Sequence, residues 1–95
     1  MAVRVQVPPL VLLNYEKMFH VYAIRSKVKN YIYVGFTQDL EKRINQHNAG
    51  YNKSTKPYRP FELIFTESFS TRTEARSKEK YLKSGVGKEF LKRIS

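Results

Sequence analysis

The sequence contains no cysteine. This absence excludes disulfide bonds, catalysis by a thiolate and a zinc site with cysteine ligands. Long apolar runs are also missing, since the longest, Leu10-Val11-Leu12-Leu13, is far too short to span a bilayer. No basic segment, apolar stretch and cleavage site follow one another as they do in a secretory signal. We therefore expect a cytoplasmic protein with no membrane-spanning segment.

Acidic residues are scarce beside basic ones: 8 Asp and Glu stand against 18 Lys and Arg, for a net charge of +10. In a chain of 95 residues, which makes one domain, this excess favours a polyanionic partner such as DNA or RNA, and less often an anionic membrane surface. The small core favours an extended substrate on the surface over an enclosed metabolite. A basic protein without such a partner is the alternative explanation.

Residues 1–17 differ from the rest of the chain, because they show neither turn signals nor sustained periodicity. We expect 1–17 to be an N-terminal extension to a domain that covers 18–95. The extension is either a segment upstream of a physiological start at Met18 or an ordered arm that packs on the domain. Deletion of residues 2–17 separates the two, because only the loss of a packed arm lowers the melting temperature strongly.

The periodicity of apolar residues predicts strands at 19–25, 31–36 and 61–69. It predicts helices at 38–48 and 72–84, followed by a last short helix that carries Phe90, Leu91 and Ile94. The order β-β-α-β-α-α predicts an α/β domain in which helices flank a small, mainly antiparallel sheet of three strands.

Capping residues mark the predicted helix ends. Thr37 is the expected N-cap of the first helix, and Gly50 ends it. Thr71 and Glu74 have the spacing of a capping box at the start of the second helix, and Gly85 is its expected C′ residue.

Helical phasing places two unusual residues on buried faces. His47 continues the stripe of Leu40 and Ile44, with Arg43 on its flank. Glu79 lies in the middle of the stripe that holds Ala75 and Leu82. A buried carboxylate needs a cationic neighbour, a proton or a bound metal, and magnesium commonly takes one carboxylate with waters and phosphate. The alternatives are a snorkelling base for Arg43, a helix-dipole contact for His47 and an Arg or Lys partner for Glu79.

Tyr22 and Tyr33 lie on adjacent predicted strands, where a tyrosine ordinarily packs. His20 shares the face of Tyr22, and Tyr31 that of Tyr33, so spacing alone does not select a reactive pair.

A basic surface is predicted at the 51–60 loop and along 72–95. Bases neutralise phosphates and exposed aromatic rings stack on unpaired nucleobases, although a solvated helix face would also be rich in bases. The expected nucleic-acid-binding residues are Tyr51, Lys53, Lys56, Tyr58, Arg59, Arg76 and Lys83.

The ordered set of these residues resembles the GIY-YIG nuclease family, particularly its small single-domain bacterial members. The resemblance runs from about Phe19 to Ile94. It is carried by Val21-Tyr22-Ala23, Tyr33-Val34-Gly35, Arg43, His47, Ser54-Thr55-Lys56, Glu79 and Leu82-Lys83-Ser84-Gly85.

The resemblance implies one-metal hydrolysis of a DNA phosphodiester on a three-stranded antiparallel sheet. It implies that Tyr22 is the general base, and that Tyr33 positions the nucleophile or shares that role. Arg43 would stabilise charge on the phosphoryl group, and His47 would orient water or relay a proton. Glu79 would hold Mg²⁺ or Mn²⁺.

The expected function is therefore a metal-dependent DNA endonuclease. Branched, single-stranded or damaged DNA, as met in DNA repair, is favoured over a defined sequence. The alternative is a nucleic-acid-binding module with the same fold and little catalysis, since residues 89–92 lack an Asn that many family members carry and no DNA-binding domain is attached. RNA is a third candidate substrate.

Overall fold

The computed structural model describes residues 17–95 of the chain. The predicted extension lies outside the described residues except for Lys17, so both explanations of it stay predictions. The elements are β1 (Phe19–Ser26), β2 (Ile32–Thr37), α1 (Leu40–Ala49), a 3₁₀ turn (Lys56–Tyr58), β3 (Phe61–Phe69), α2 (Arg72–Lys83) and α3 (Gly85–Ile94). The predicted order and the three strands are confirmed.

The sheet has the order β2-β1-β3, and both pairings of β1 are antiparallel. In this register Tyr22 lies opposite Gly35 of β2. The register with β3 shifts between Ala23 and Ile24, which is a local irregularity in the ladder. The central position of β1 explains why Tyr22, Ala23 and Ile24 are all fully buried.

Helices cover both faces of the sheet, so successive residues of β1 enter different halves of the core. Val21 and Ala23 pack on the face of α2 and α3, in a cluster with Leu82 and Leu91. Tyr22 and Ile24 pack on the opposite face. That second cluster is completed by Phe61 of β3 together with Tyr31, Tyr33, Leu40, Ile44, Tyr58 and Leu63, which are half-buried. The chemistry expected of Tyr22 therefore lies on the α1 side.

One predicted cap is wrong and another takes a different form. Asp39, not Thr37, caps α1: its Oδ1 accepts the Lys42 N–H at 3.1 Å, while Thr37 Oγ1 accepts the Asp39 N–H. Gly85 does follow the C-cap of α2, but it lacks the left-handed conformation of a glycine C′ residue and is the first residue of α3. Ser84 ends α2 in extended backbone and caps α3 by accepting the Gly87 N–H at 3.2 Å.

The other two predicted helix ends are confirmed. Gly50 ends α1 in the left-handed conformation at φ 84°, which residues with a Cβ rarely adopt. Thr71 Oγ1 accepts the Glu74 N–H at 3.2 Å and donates to the Glu74 carboxylate at 2.9 Å. Between residues 17 and 95, no helix has both the length and the apolar character needed to cross a membrane.

Candidate active site

A chain of buried polar side chains joins β1, α1 and the loop after α1. The Tyr22 hydroxyl lies 2.9 Å from Nε2 of His47, and Nδ1 of His47 lies 2.9 Å from Oγ1 of Thr55. All three residues are 0% exposed. The burial that helical phasing predicted for His47 is confirmed. Its ring is held on both sides, because each nitrogen has a hydroxyl partner.

Tyr33 is the second phenol of this cluster. Its ring centroid lies 4.8 Å from that of His47 and 6.3 Å from that of Tyr22. Unlike Tyr22, Tyr33 is only half-buried, so part of its side chain is open to solvent.

Spacing alone left open whether Tyr31 or His20 belongs to the reactive pair, and the contacts of these two rings resolve that question. Tyr31 stacks on Tyr58 at 3.9 Å, and His20 Nδ1 lies 2.6 Å from the Ser68 hydroxyl on β3. Tyr22 and Tyr33 are therefore the pair that the fold brings to His47.

Gly35 makes the approach of the two phenols possible. A Cβ at this position would lie 2.8 Å from the Tyr22 hydroxyl oxygen and 3.1 Å from Cε2 of Tyr33. Contacts below 3.0 Å require a shift of one partner. Glycine is required here for space and not for its backbone conformation, since the φ of Gly35 is not positive.

Charges around the cluster set its proton affinities. Burial raises the pKa of the Tyr22 phenol and Tyr33 raises it further, while the Arg43 guanidinium opposes both by lowering it. Burial also lowers the pKa of His47, and the Arg43 charge adds to this effect. Arg43 itself is exposed on α1. The cluster therefore combines a protonated phenol, a neutral imidazole and an exposed guanidinium.

Glu79 lies on α2, whose Ala75 and Leu82 pack on the other face of the sheet, and the predicted burial of this carboxylate is confirmed at 7% exposure. Its charge contributes to the raised pKa of Tyr22, after larger contributions from burial and Tyr33. Its two oxygens lie 3.4 Å from Arg76 Nη1 and 3.1 Å from Lys83 Nζ. Both basic side chains are more than half exposed, so these pairs contribute little to stability and the bases can turn away.

The donor set fits a magnesium-like ion held by one carboxylate. Within the described part of the chain, no group of three or more His, Cys, Asp or Glu is placed to hold a metal. A protein cage of several carboxylates is thus not formed by residues 17–95. Magnesium is commonly bound by one or two carboxylates, with waters and substrate phosphate completing its shell, and Glu79 matches that pattern.

Two open grooves adjoin β2. One, of about 530 Å³, is lined by Lys42, Arg43 and Arg72 among others. The other, of about 390 Å³, lies between β2 and the helices α2 and α3, and its lining includes Lys83, Lys88 and Lys92. Because β2 is an edge strand, a polyanion lying along it would meet cations from both grooves.

The residues expected to bind nucleic acid are all at the surface except Tyr58, which is half-buried. One face of the Tyr58 ring is covered by Tyr31, and the Lys29 ammonium lies 5.3 Å from the ring centroid. Tyr51 is 78% exposed and has a free ring to stack on a base. Lys53, Lys56, Arg59, Arg76 and Lys83 are exposed.

Sequence reasoning missed the contribution of Thr55 and of the bases that flank Arg43. The family resemblance includes Thr55 only as part of a loop motif, because a loop has no periodicity that would predict which of its residues is buried. Lys42 was not singled out, and Arg72 was only one of the bases of the predicted 72–95 surface. Lys42 adjoins Arg43 in the chain, whereas the place of Arg72 in the same groove depends on how α2 meets the edge of the sheet.

An antiparallel sheet of three strands, with paired tyrosines on adjacent strands and a helix-borne arginine, histidine and glutamate, defines a GIY-YIG-type catalytic domain. Residues 18–92 match the family model described as the GIY-YIG catalytic domain. The chain belongs to the GIY-YIG family, as the sequence resemblance predicted. Members of this family are endonucleases that generally use divalent metal ions, which indicates a nuclease-type function and a nucleic acid substrate.

The chain is similar to proteins named UPF0213, which are small and single-domain. The UPF0213 protein YazA of Bacillus subtilis is 49% identical over 63 residues, covering 65% of this chain and 63% of that protein. A UPF0213 protein of Staphylococcus saprophyticus is 38% identical over 77 residues, covering 80% and 93%. The solution NMR structure of the UPF0213 protein BH0048 from Bacillus halodurans has a TM-score of 0.50 and 32% identity, covering 82% of this chain and 85% of that one.

Proposed function

We propose that this protein is a cytoplasmic, divalent-metal-dependent DNA endonuclease that acts on branched or damaged DNA. The observation that supports this proposal most is the buried contact between Tyr22 and His47, which lies within the electrostatic reach of Arg43 and Glu79. A buried phenol needs a hydrogen-bond partner for structural reasons alone, but a purely structural pair needs no guanidinium beside it. The combination supports proton transfer next to a bound phosphate.

Binding is the task of the exposed bases. The guanidinium of Arg43 offers several N–H donors and a permanent charge, so it would hold the non-bridging oxygens of the scissile phosphate. The bases of the two grooves and of the 51–60 loop would hold neighbouring phosphates. Because these contacts read only phosphate, they support recognition of DNA shape and not of a base sequence.

Proton removal from the attacking water is the task of Tyr22. The water proton passes to the Tyr22 oxygen as the phenol proton passes to Nε2 of His47, while the water oxygen bonds to phosphorus. The P–O bond to the leaving sugar oxygen breaks, and that oxygen keeps the electron pair and takes a proton from solvent. Burial raises the pKa of Tyr22 and lowers that of His47, so the phenol keeps its proton until the water attacks. Tyr33, which solvent reaches, would position that water.

Glu79 would hold the divalent ion, which when bound supplies Lewis-acid polarisation of the phosphoryl oxygen. The single carboxylate leaves the remaining positions to water and to the substrate, so metal affinity should be weak without DNA.

The test is a nicking assay on branched, single-stranded and fully paired DNA of one sequence, with Mg²⁺, Mn²⁺ or a chelator. We expect cleavage that requires metal and is faster on branched DNA than on the paired duplex. Removal of the Arg43 charge in Arg43→Ala should slow cleavage by about 100- to 1000-fold. Equal cleavage by wild type, Arg43→Ala and Glu79→Ala would overturn the proposal.

A second candidate is a nucleic-acid-binding module with the same fold and little catalysis. The contacts of Arg76 and Lys83 with both oxygens of Glu79 favour it, because a carboxylate kept in ion pairs is not free for a metal. Salt-dependent DNA binding without product under any metal would support this candidate. Double replacement of Arg76 and Lys83 by glutamine should then leave the protein inactive, whereas metal-dependent cleavage by that variant would eliminate the candidate.

A further inference from the structure

The hydrogen on the Tyr22 hydroxyl determines how the whole buried chain is protonated. This hydroxyl is fully buried. Among the described residues 17–95, Nε2 of His47 lies within hydrogen-bond distance of it, at 2.9 Å. The Arg43 guanidinium beside it carries donors alone. A buried O–H needs an acceptor. The Tyr22 hydroxyl therefore donates to Nε2, and Nε2 carries no hydrogen.

The remaining hydrogens of the chain follow from this assignment. A neutral imidazole has one N–H, so the hydrogen of His47 lies on Nδ1 and points to Oγ1 of Thr55 at 2.9 Å. Thr55 Oγ1 accepts this bond and directs its own hydrogen to the backbone carbonyl of Asn52 at 3.3 Å. Because a carbonyl oxygen only accepts, the direction of all three hydrogen bonds is fixed: Tyr22 donates to His47, His47 donates to Thr55, and Thr55 donates to the Asn52 carbonyl.

The Thr55 oxygen is held by a loop that is itself organised around Asn52. The Asn52 carbonyl also accepts the backbone N–H groups of Thr55 at 3.2 Å and Lys56 at 2.9 Å. The side-chain oxygen of Asn52 accepts from the backbone N–H of Ser54 at 3.0 Å and from its hydroxyl at 2.8 Å. A β-branched side chain adds a restricted χ1 angle. Thr55 is thus a fixed acceptor and not one of several alternative partners.

We propose that Thr55 is a positioning residue that keeps the hydrogen of the His47 ring on Nδ1, so that Nε2 always faces Tyr22 as an acceptor. The effect of Thr55 on catalysis rests on the proposed nuclease function, whereas its effect on the tautomer of His47 does not. In the opposite tautomer, Nε2–H would point at the Tyr22 oxygen, and His47 could not receive the phenol proton. The side chain of Thr55 touches neither water nor phosphate in this scheme, so it acts only through His47.

The first measurement is the tautomer of His47, read from the ¹⁵N chemical shifts of both ring nitrogens at pH 7.5. The chain has two histidines, so a His20→Gln variant assigns the signals. We expect a protonated Nδ1 and an unprotonated Nε2 in the wild type and in Thr55→Ser. Thr55→Val keeps the shape of the side chain but removes the acceptor, and should show a mixture of both tautomers. A protonated Nε2 in the wild type would overturn the proposal, whether or not any variant folds.

The second measurement is the rate of DNA cleavage by the same proteins. Thr55→Val should lower kcat by about 10- to 100-fold with KM unchanged, because the proton acceptor is misdirected while the phosphate contacts are intact. Thr55→Ser should restore most of the rate, and Thr73→Val, which removes an exposed threonine hydroxyl from α2, should cleave like the wild type. A Thr55→Val protein with the wild-type tautomer and the wild-type rate would refute the role of Thr55. A wild type that never cleaves but shows the expected tautomers refutes the nuclease function alone.

Discussion

Alanine at position 35 would place a methyl group between the two phenols of the site. Its Cβ would lie 2.8 Å from the Tyr22 hydroxyl oxygen and 3.1 Å from the Tyr33 ring, whereas ordinary contact begins at 3.4 Å. The hydroxyl must therefore retreat by about 0.6 Å, since the opposing β2 backbone is held by the sheet. A shift of this size stretches or tilts the 2.9 Å contact with Nε2 of His47.

The expected cost of Gly35→Ala falls mainly on catalysis. Misplacement by about 1 Å costs roughly 100-fold in rate, so we expect cleavage to slow by about 10- to 100-fold. Overpacking of a tight core costs about 1–3 kcal/mol, so the melting temperature should also fall. The assay is single-turnover nicking at a temperature where the thermal melt of the variant shows it folded. Loss of the Nε2 hydrogen bond in the ¹⁵N spectrum of His47 reports the displacement without any turnover.

Gly85→Ala is the matched control. A Cβ at Gly85, the first residue of α3, meets nothing within 4 Å. This variant should cleave like the wild type and be equally stable or more stable by up to about 1 kcal/mol, because glycine is a poor helix former. Cleavage by Gly35→Ala at the rate of Gly85→Ala, with an unchanged His47 spectrum, would refute the reasoning.

Three further predictions concern charge. Glu79→Ala should abolish metal-dependent cleavage while the melting temperature stays within a few degrees, because its ion-pair partners are exposed; a collapse of stability would show that the carboxylate is structural. Because the pKa of His47 is lowered by folding, the unfolded chain takes up a proton at a pH where the folded chain does not. The free energy of unfolding of the wild type should therefore decrease as the pH is lowered below about 6.5, by up to about 1.4 kcal/mol per pH unit. His47→Gln should remove this slope in urea titrations, and an unchanged slope would contradict the cause. Each replacement of Lys53, Lys56 or Arg59 by glutamine should weaken DNA binding and reduce the slope of log K against log salt by about 1, and an unchanged slope would place that base off the DNA.

Periodicity alone predicted the element order and the burial of the two decisive helix residues. A charged or polar residue at a stripe position, as with Glu79 and His47, is visible in sequence because the helix period is fixed. The helix ends show the limit of this reasoning. Asp39 caps α1 two residues after Thr37, and Ser84 opens a new helix where Gly85 was expected only to end α2, because each choice depends on backbone angles that neighbouring residues share.

The loop after α1 was the least predictable part of the site. Tyr58 reads as an exposed platform for nucleobases, yet one of its faces lies against Tyr31, which sits 27 residues earlier in a different element. Thr55 reads as a polar loop residue, yet it is fully buried against His47. Both contacts join segments that no sequence period links, so only the fold reveals them.

The central claim is that Tyr22 and its contact with His47 carry out the proton transfer of DNA hydrolysis. The most direct measurement is the single-turnover cleavage rate of Tyr22→Phe on branched DNA with saturating Mg²⁺, compared with the wild type and with Tyr33→Phe. Phenylalanine keeps the packing of the ring and removes only the hydroxyl. We expect a loss of about 100- to 10,000-fold for Tyr22→Phe, with DNA affinity unchanged. Cleavage by Tyr22→Phe within a few-fold of the wild type would contradict it.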